Sequence, residues 1–311
     1  MQTDIPRQTL SQDKSRDPTR LRARADEIAA LVPKLMMAAH HAAASVMAGE
    51  HALKKVGQGQ NFWQFREYDT HDRPQDIDWR QSAKSDRVYV REKEHQSAQT
   101  LLLWADGHPG MHWRSDEALP TKRRIAETII LSLSIIAIHN GEMFKQFRED
   151  AKTGRTDKAV EKMALHLLEY ATDDPDLSSL GSIRWTRRSL PILVGDFLDP
   201  IETLSKTLSR LVERAANGVV VQVLDPAELD LPYQGRVRFS GINGEEELIE
   251  NISSIRAEYQ EKINAHRAHV KAEVERNGWH FFEITTNSHL APLVQDIWRL
   301  IADLLQGEKR S

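Results

Sequence analysis

The chain has 311 residues, with 42 Lys and Arg against 46 Asp and Glu, 40% apolar residues and no cysteine. The missing thiols exclude disulfides, thiolate zinc sites, iron–sulfur clusters and cysteine nucleophiles. A net charge of −4 provides no global basic field, which argues against a nucleic-acid binder.

Residues 1–19 are polar and aperiodic and are expected to form a disordered tail without a secretory signal. Leu21, Ile28, Leu31, Leu35 and Met36 predict helix over 20–48, with Pro33 dividing it in two. Gly57 and Gly59 mark a loop. Residues 60–95 are dense in polar, charged and aromatic side chains.

From Thr100 the pattern changes. The apolar run Leu101–Ala105 ends at Asp106 and suits a strand buried on both faces. A helix is predicted over 120–139. Its run Ile129–Ile138 is the longest apolar stretch of the chain. Ten residues rise about 15 Å, half a bilayer core, so this run is expected to be buried inside a globular domain and not to span a membrane. Further strands are expected at 143–147, 190–196, 218–224 and 279–284. Helices are expected at about 157–168, 201–212, 251–277 and 288–305. Thr156 is read as the N-cap of the first of these. Residues 234–250 read as a hairpin turning at Asn243-Gly244.

Strand–helix alternation over two hundred residues predicts a doubly wound, mostly parallel α/β sheet. Ahead of it stands a helical and irregular part with a short β element. The expected divisions are 1–19, 20–95 and 96–311. In such folds sites lie beyond the carboxyl ends of the strands, where Asp106, Asp196 and Asp225 stand.

Two strand-end carboxylates and a threonine at a helix start, Asp106, Asp196 and Thr156, offer the oxygen ligands that magnesium requires. The arrangement resembles the metal-ion-dependent adhesion site of von Willebrand factor A-like domains, in which an Asp-x-Ser-x-Ser loop supplies two hydroxyls. Here His108 and Gly110 replace both serines, so the hydroxyl arm is lost and magnesium binding is disfavoured. His108 and His112 could instead serve a softer metal, but Pro109 and Gly110 between them spoil a helical pair.

A second segment is more specific. Arg66-Glu67-Tyr68 is followed by Asp72, then Ile77-Asp78-Trp79, then Ser82-Ala83-Lys84, then Tyr89-Val90-Arg91-Glu92. Arginine forks can pair bidentately with such carboxylates, and Tyr68, Ile77 and Trp79 would anchor the segment on the sheet domain. This order resembles the signature of the "domain of unknown function 58" family, whose members carry a von Willebrand A-like domain directly after it. The chain departs at His71, where the family has Gly, and at Gln75, where it has Arg; the two N-terminal transmembrane helices of many members are not expected from this sequence.

The resemblance implies a fold and a role. Family members are associated with MoxR-type AAA+ ATPases and act as adaptors in assembling or activating target complexes. The expected partner surface would include His108 at the sheet edge and the signature residues Arg66, Glu67, Tyr68, Asp72, Ile77, Asp78, Trp79, Tyr89, Arg91 and Glu92. On this reading the protein is cytoplasmic and not an enzyme, with no certain cofactor. The alternative is a metal-dependent hydrolase using Asp106 and Asp196. No nucleophile elbow, phosphate loop or dinucleotide fingerprint occurs. The short basic clusters Lys122-Arg123-Arg124 and Arg184–Arg188, the latter with an interleaved Trp185, are expected to be solvated surface.

Overall fold

The computed structural model describes residues 18–54, 62–69, 77–84, 87–93, 99–169, 175–186, 189–241 and 245–307. The expected tail up to residue 17, the loop at Gly57 and Gly59, the turn at Asn243-Gly244 and Asp72 lie outside them. Of Arg66, Arg91 and Glu92, only the backbone is described.

The first element is α1 (Pro18–Lys54). Pro33 does not divide it: one helix runs through. A proline inside a helix costs about 3 kcal/mol by removing a bond and crowding the preceding turn. Past Pro33, burial of Leu35, Ala39, Ala42, Ala43 and Val46 offsets that cost, and the proline itself is exposed. Two strands and a short helix follow: β1 (Phe62–Glu67), α2 (Trp79–Ser82) and β2 (Tyr89–Lys93).

The α/β part then runs β3 (Thr100–Ala105), α3 (Lys122–His139), β4 (Met143–Gln146), α4 (Asp157–Glu169), β5 (Ser189–Gly195), α5 (Ile201–Val212) and β6 (Val219–Leu224). It continues with α6 (Pro226–Asp230), β7 (Val237–Ser240), β8 (Glu246–Ile249), α7 (Ile252–Arg276), β9 (His280–Thr285) and α8 (Leu290–Gly307). Strands β7 and β8 pair antiparallel, as a hairpin requires. The five others form one parallel sheet in the order β4-β3-β5-β6-β9. The expected doubly wound α/β fold is therefore present.

Side chains alternate between two cores, as the period of two in a strand demands. Leu101, Leu103, Ile192, Val194, Val221 and Val223 face α3, α4 and α8. Leu102, Trp104, Leu193 and Val220 face α5, α7 and a 3-10 turn at Leu177–Ser182. Helix α3 is apolar all round and needs cover on its outer side. Helix α1 provides it, packing across α3, α4 and α8. Alanines at 39, 42 and 43 let the two backbones approach, and Ser132 Oγ donates to the Ala39 carbonyl at 3.1 Å. No helix among the described residues is long and apolar enough to cross a membrane.

The chain places β4 on one side of β3 and β5 on the other. Strand order therefore reverses between β3 and β5, and a crevice opens at their carboxyl ends. Asp106 and Asp196 are the residues that follow those two strands.

Candidate functional site

Asp106 continues the β3–β5 ladder by one bond, its N–H donating to the Val194 carbonyl at 2.8 Å. Its side chain lies against Gly195: a Cβ built there would sit 3.1 Å from Asp106 Oδ2. The glycine thus lets two strand ends close around a carboxylate. His108 N–H donates to Asp106 Oδ1 at 2.9 Å. Burial pushes the Asp106 carboxyl up to about 6, against that N–H and helped by the nearby Asp196 charge.

Asp196 is equally buried, and its oxygens are both engaged. Leu198 N–H donates to Oδ1 at 3.3 Å, and Lys122 Nζ donates to Oδ2 at 2.8 Å. The same ammonium donates to Glu228 Oε1 at 2.5 Å. Burial works against the Lys122 charge, but Asp196 and Glu228 outweigh it and hold the lysine above its ordinary range. Phe197, next in the chain, has a positive φ of 50° and is buried against Trp104. A left-handed phenylalanine is strained, and such strain collects at sites.

Arg123 is buried beside Lys122. Its guanidinium donates to the Ala105 and Asp106 carbonyls, both at 2.9 Å, and to Glu127 Oε1 at 3.0 Å. It thereby fixes the end of β3 onto α3. Asp225 closes the third strand end. It caps α6 through the Ala227 N–H, in a reciprocal box with Glu228, and accepts from Ser115 N at 3.1 Å. These contacts make Asp225 a structural tie between two loops.

One expectation about charge is overturned here. The Lys122-Arg123-Arg124 cluster is not solvated surface: its first two side chains are each 2% exposed and bond the strand-end groups. In the second cluster Arg184 and Thr186 are exposed, as expected, and the half-buried Trp185 packs its ring edge-on against Phe147 at 5.9 Å.

Thr156 is exposed at the start of α4, and no hydrogen bond joins it to Asp106 or Asp196 among the described residues. His108 caps a 3-10 turn over Pro109–His112, its Nδ1 accepting from Gly110 N at 3.2 Å. A Cβ at Gly110 would come within 3.2 Å of that Nδ1, so histidine at 108 leaves little room for a serine at 110. Among the described residues, no group of three His, Asp or Glu stands placed to hold a metal ion. The donor set does not fit magnesium: the Asp196 oxygen it would take already binds an ammonium, and both hydroxyls are gone.

The signature segment folds on itself. In the β1–β2 ladder Arg66 pairs with Val90, Glu67 with Tyr89, Phe65 with Arg91 and Gln64 with Glu92. Ile77 bridges to Val90, and Asp78 N–H donates to the Tyr89 carbonyl at 2.9 Å. Asp78 Oδ1 caps α2 through Gln81 N at 3.0 Å. Ser82 Oγ receives the Tyr89 N–H at 2.8 Å, Tyr68 N–H donates to the Val88 carbonyl, and Arg87 pairs with Glu67. The motif residues thus hold one another in place. Trp79 is the exception. It is 67% exposed and is no anchor, because the cap at Asp78 starts α2 with its first side chain turned to solvent.

Sequence reasoning missed Lys122, Arg123 and Glu228. A signal existed for each. Three basic residues open α3 with no acid in its first turn, contrary to the helix dipole. Asp225-Pro226-Ala227-Glu228 spells a capping box.

No curated protein matches the chain. The family described as "Protein of unknown function DUF58" matches residues 64–269, from the β1 strand of the signature into α7. That is more than half of the sequence, and it takes in most of both the signature ladder and the parallel sheet: the chain belongs to the DUF58 family.

Proposed function

We propose that this DUF58 protein is a cytoplasmic, non-enzymatic adaptor that binds a MoxR-type AAA+ ATPase and helps assemble or activate a target complex. Family membership supports the association. The observation that carries the non-enzymatic part is the Lys122–Asp196 contact at 2.8 Å. A hydrolase built on Asp106 and Asp196 would need those carboxylates for a metal, and one of them is already neutralised from within the protein. The carboxyl edge of the sheet, with His108 exposed beside Asp106, is the first contact surface. The exposed Trp79 on its capped helix is the second, since exposed tryptophans are frequent interface anchors.

The test is co-purification of the chain with a MoxR-type ATPase from the same genome, followed by titration of the purified pair. The reading expects a stable or nucleotide-dependent complex that weakens on Trp79→Ala or on His108→Ala. Absence of binding in the apo, ADP and ATP states of the ATPase would refute it.

A further inference from the structure

The loops that a divalent cation joins in an adhesion-type site are joined here by a side chain. Lys122 stands in the first turn of α3, after the loop that leaves β3. Its Nζ lies 2.8 Å from Asp196, at the end of β5, and 2.5 Å from Glu228, on the helix after β6. The lysine side chain is 2% exposed, and its two partners are 9% and 14% exposed. One ammonium therefore ties three strand-end loops together out of contact with solvent.

Local preference does not explain a lysine at that position. The first turn of a helix is the positive end of its dipole, which disfavours cations. Burial removes the hydration of the charge as well. Both costs are met only because two carboxylates converge on the ammonium. Ammonium carries three donors and needs no octahedral shell, so it can bridge oxygens where magnesium would demand several more ligands. The two serine positions of an adhesion loop, His108 and Gly110, supply none of those ligands.

We propose that Lys122 permanently replaces the divalent cation at this edge, so that the strand-end loops hold their shape, and the edge meets its partner, without metal. The first half stands on the contacts alone. The second half rests on the adaptor reading.

The experiment compares thermal unfolding of the full chain in EDTA and in millimolar magnesium or manganese, for the wild type and for Lys122→Ala. Removing the lysine leaves Asp196 and Glu228 facing each other beside Asp106, with space where the side chain lay. The wild-type Tm should not respond to metal. The variant should have a lower Tm in EDTA that rises by about 3 °C or more with metal, because the freed carboxylates of Asp196 and Glu228, with water in place of the missing hydroxyls, can then hold a cation in the native state alone. A wild-type Tm that rises as much as the variant's would overturn the proposal, and so would a folded variant that ignores metal.

Should Lys122→Ala fail to fold in either condition, manganese binding to the wild type decides, read by electron paramagnetic resonance. Saturable binding that Asp196→Asn abolishes would overturn the assignment. No such binding supports it. A protein that meets these expectations yet fails to bind the ATPase refutes the adaptor reading and leaves the lysine assignment standing.

Discussion

Asp106→Asn should make the protein more stable at neutral pH. The carboxyl is 8% exposed, and burial raises it from the ordinary 3.8 to about 6. In the unfolded chain it loses its proton near pH 4. In the native protein it keeps that proton until about pH 6. Between those values the native state binds more protons than the unfolded state, so stability falls as pH rises. The favourable contribution is complete below pH 4 and gone above pH 6. Moving the carboxyl from 3.8 to about 6 is worth at most about 3 kcal/mol. Asparagine keeps an oxygen for the His108 N–H and carries no charge. Urea unfolding of both proteins from pH 4 to pH 8 measures the effect. The two should agree near pH 4, and the variant should gain up to about 3 kcal/mol by pH 7.5. A difference that does not change with pH, or an asparagine variant less stable at pH 7.5, would refute the reasoning.

Three more outcomes follow from particular contacts. Arg123→Met removes four donor contacts, while the buried Glu127 keeps its ion pair with Arg124 at 3.2 Å, so the cost should be about 2–3 kcal/mol in urea unfolding; adding Glu127→Leu should recover part of it. Gly154→Ala drives a Cβ to 2.3 Å from the Phe144 ring, between β4 and the start of α4, and should cost about 1–3 kcal/mol by the same assay. Trp79→Ala should change stability by less than about 0.5 kcal/mol, because the ring is solvent-exposed; a larger loss would show that it packs after all.

Much of the fold was legible because its signals are repetitive. Strands β3, β5 and β6 are buried along their whole length and read as apolar runs, interrupted inside β6 by Gln222. The Ile129–Ile138 run was correctly expected inside the protein, but its cover, α1, was not foreseen, because the alanines that make the close contact carry no strong hydrophobic pattern. Pro33 reads as a break because the local rule weighs one lost bond and not the packing of the turns that follow. The candidate site was legible only in its carboxylates. Asp106 and Asp196 announce themselves at strand ends, whereas Lys122 meets Asp196 and Glu228 across 74 and 106 residues of sequence, where no spacing rule reaches. A basic triplet at the start of a helix looks like surface, and burial of its first two members depends on which loops the sheet order brings together.

The signature segment shows a different limit. Its residue order predicts that the parts belong together, and the β1–α2–β2 contacts are mutual. The outward turn of Trp79 depends on the Asp78 cap, a detail finer than the pattern.

The central claim is adaptor binding at an edge held by a lysine. Its most direct measurement is a calorimetric titration of the full chain into a MoxR-type ATPase from the same genome, with and without EDTA. The account predicts a saturable complex whose affinity is the same in both buffers. No binding in any nucleotide state, or binding that EDTA abolishes at constant nucleotide and without unfolding the ATPase, would contradict it.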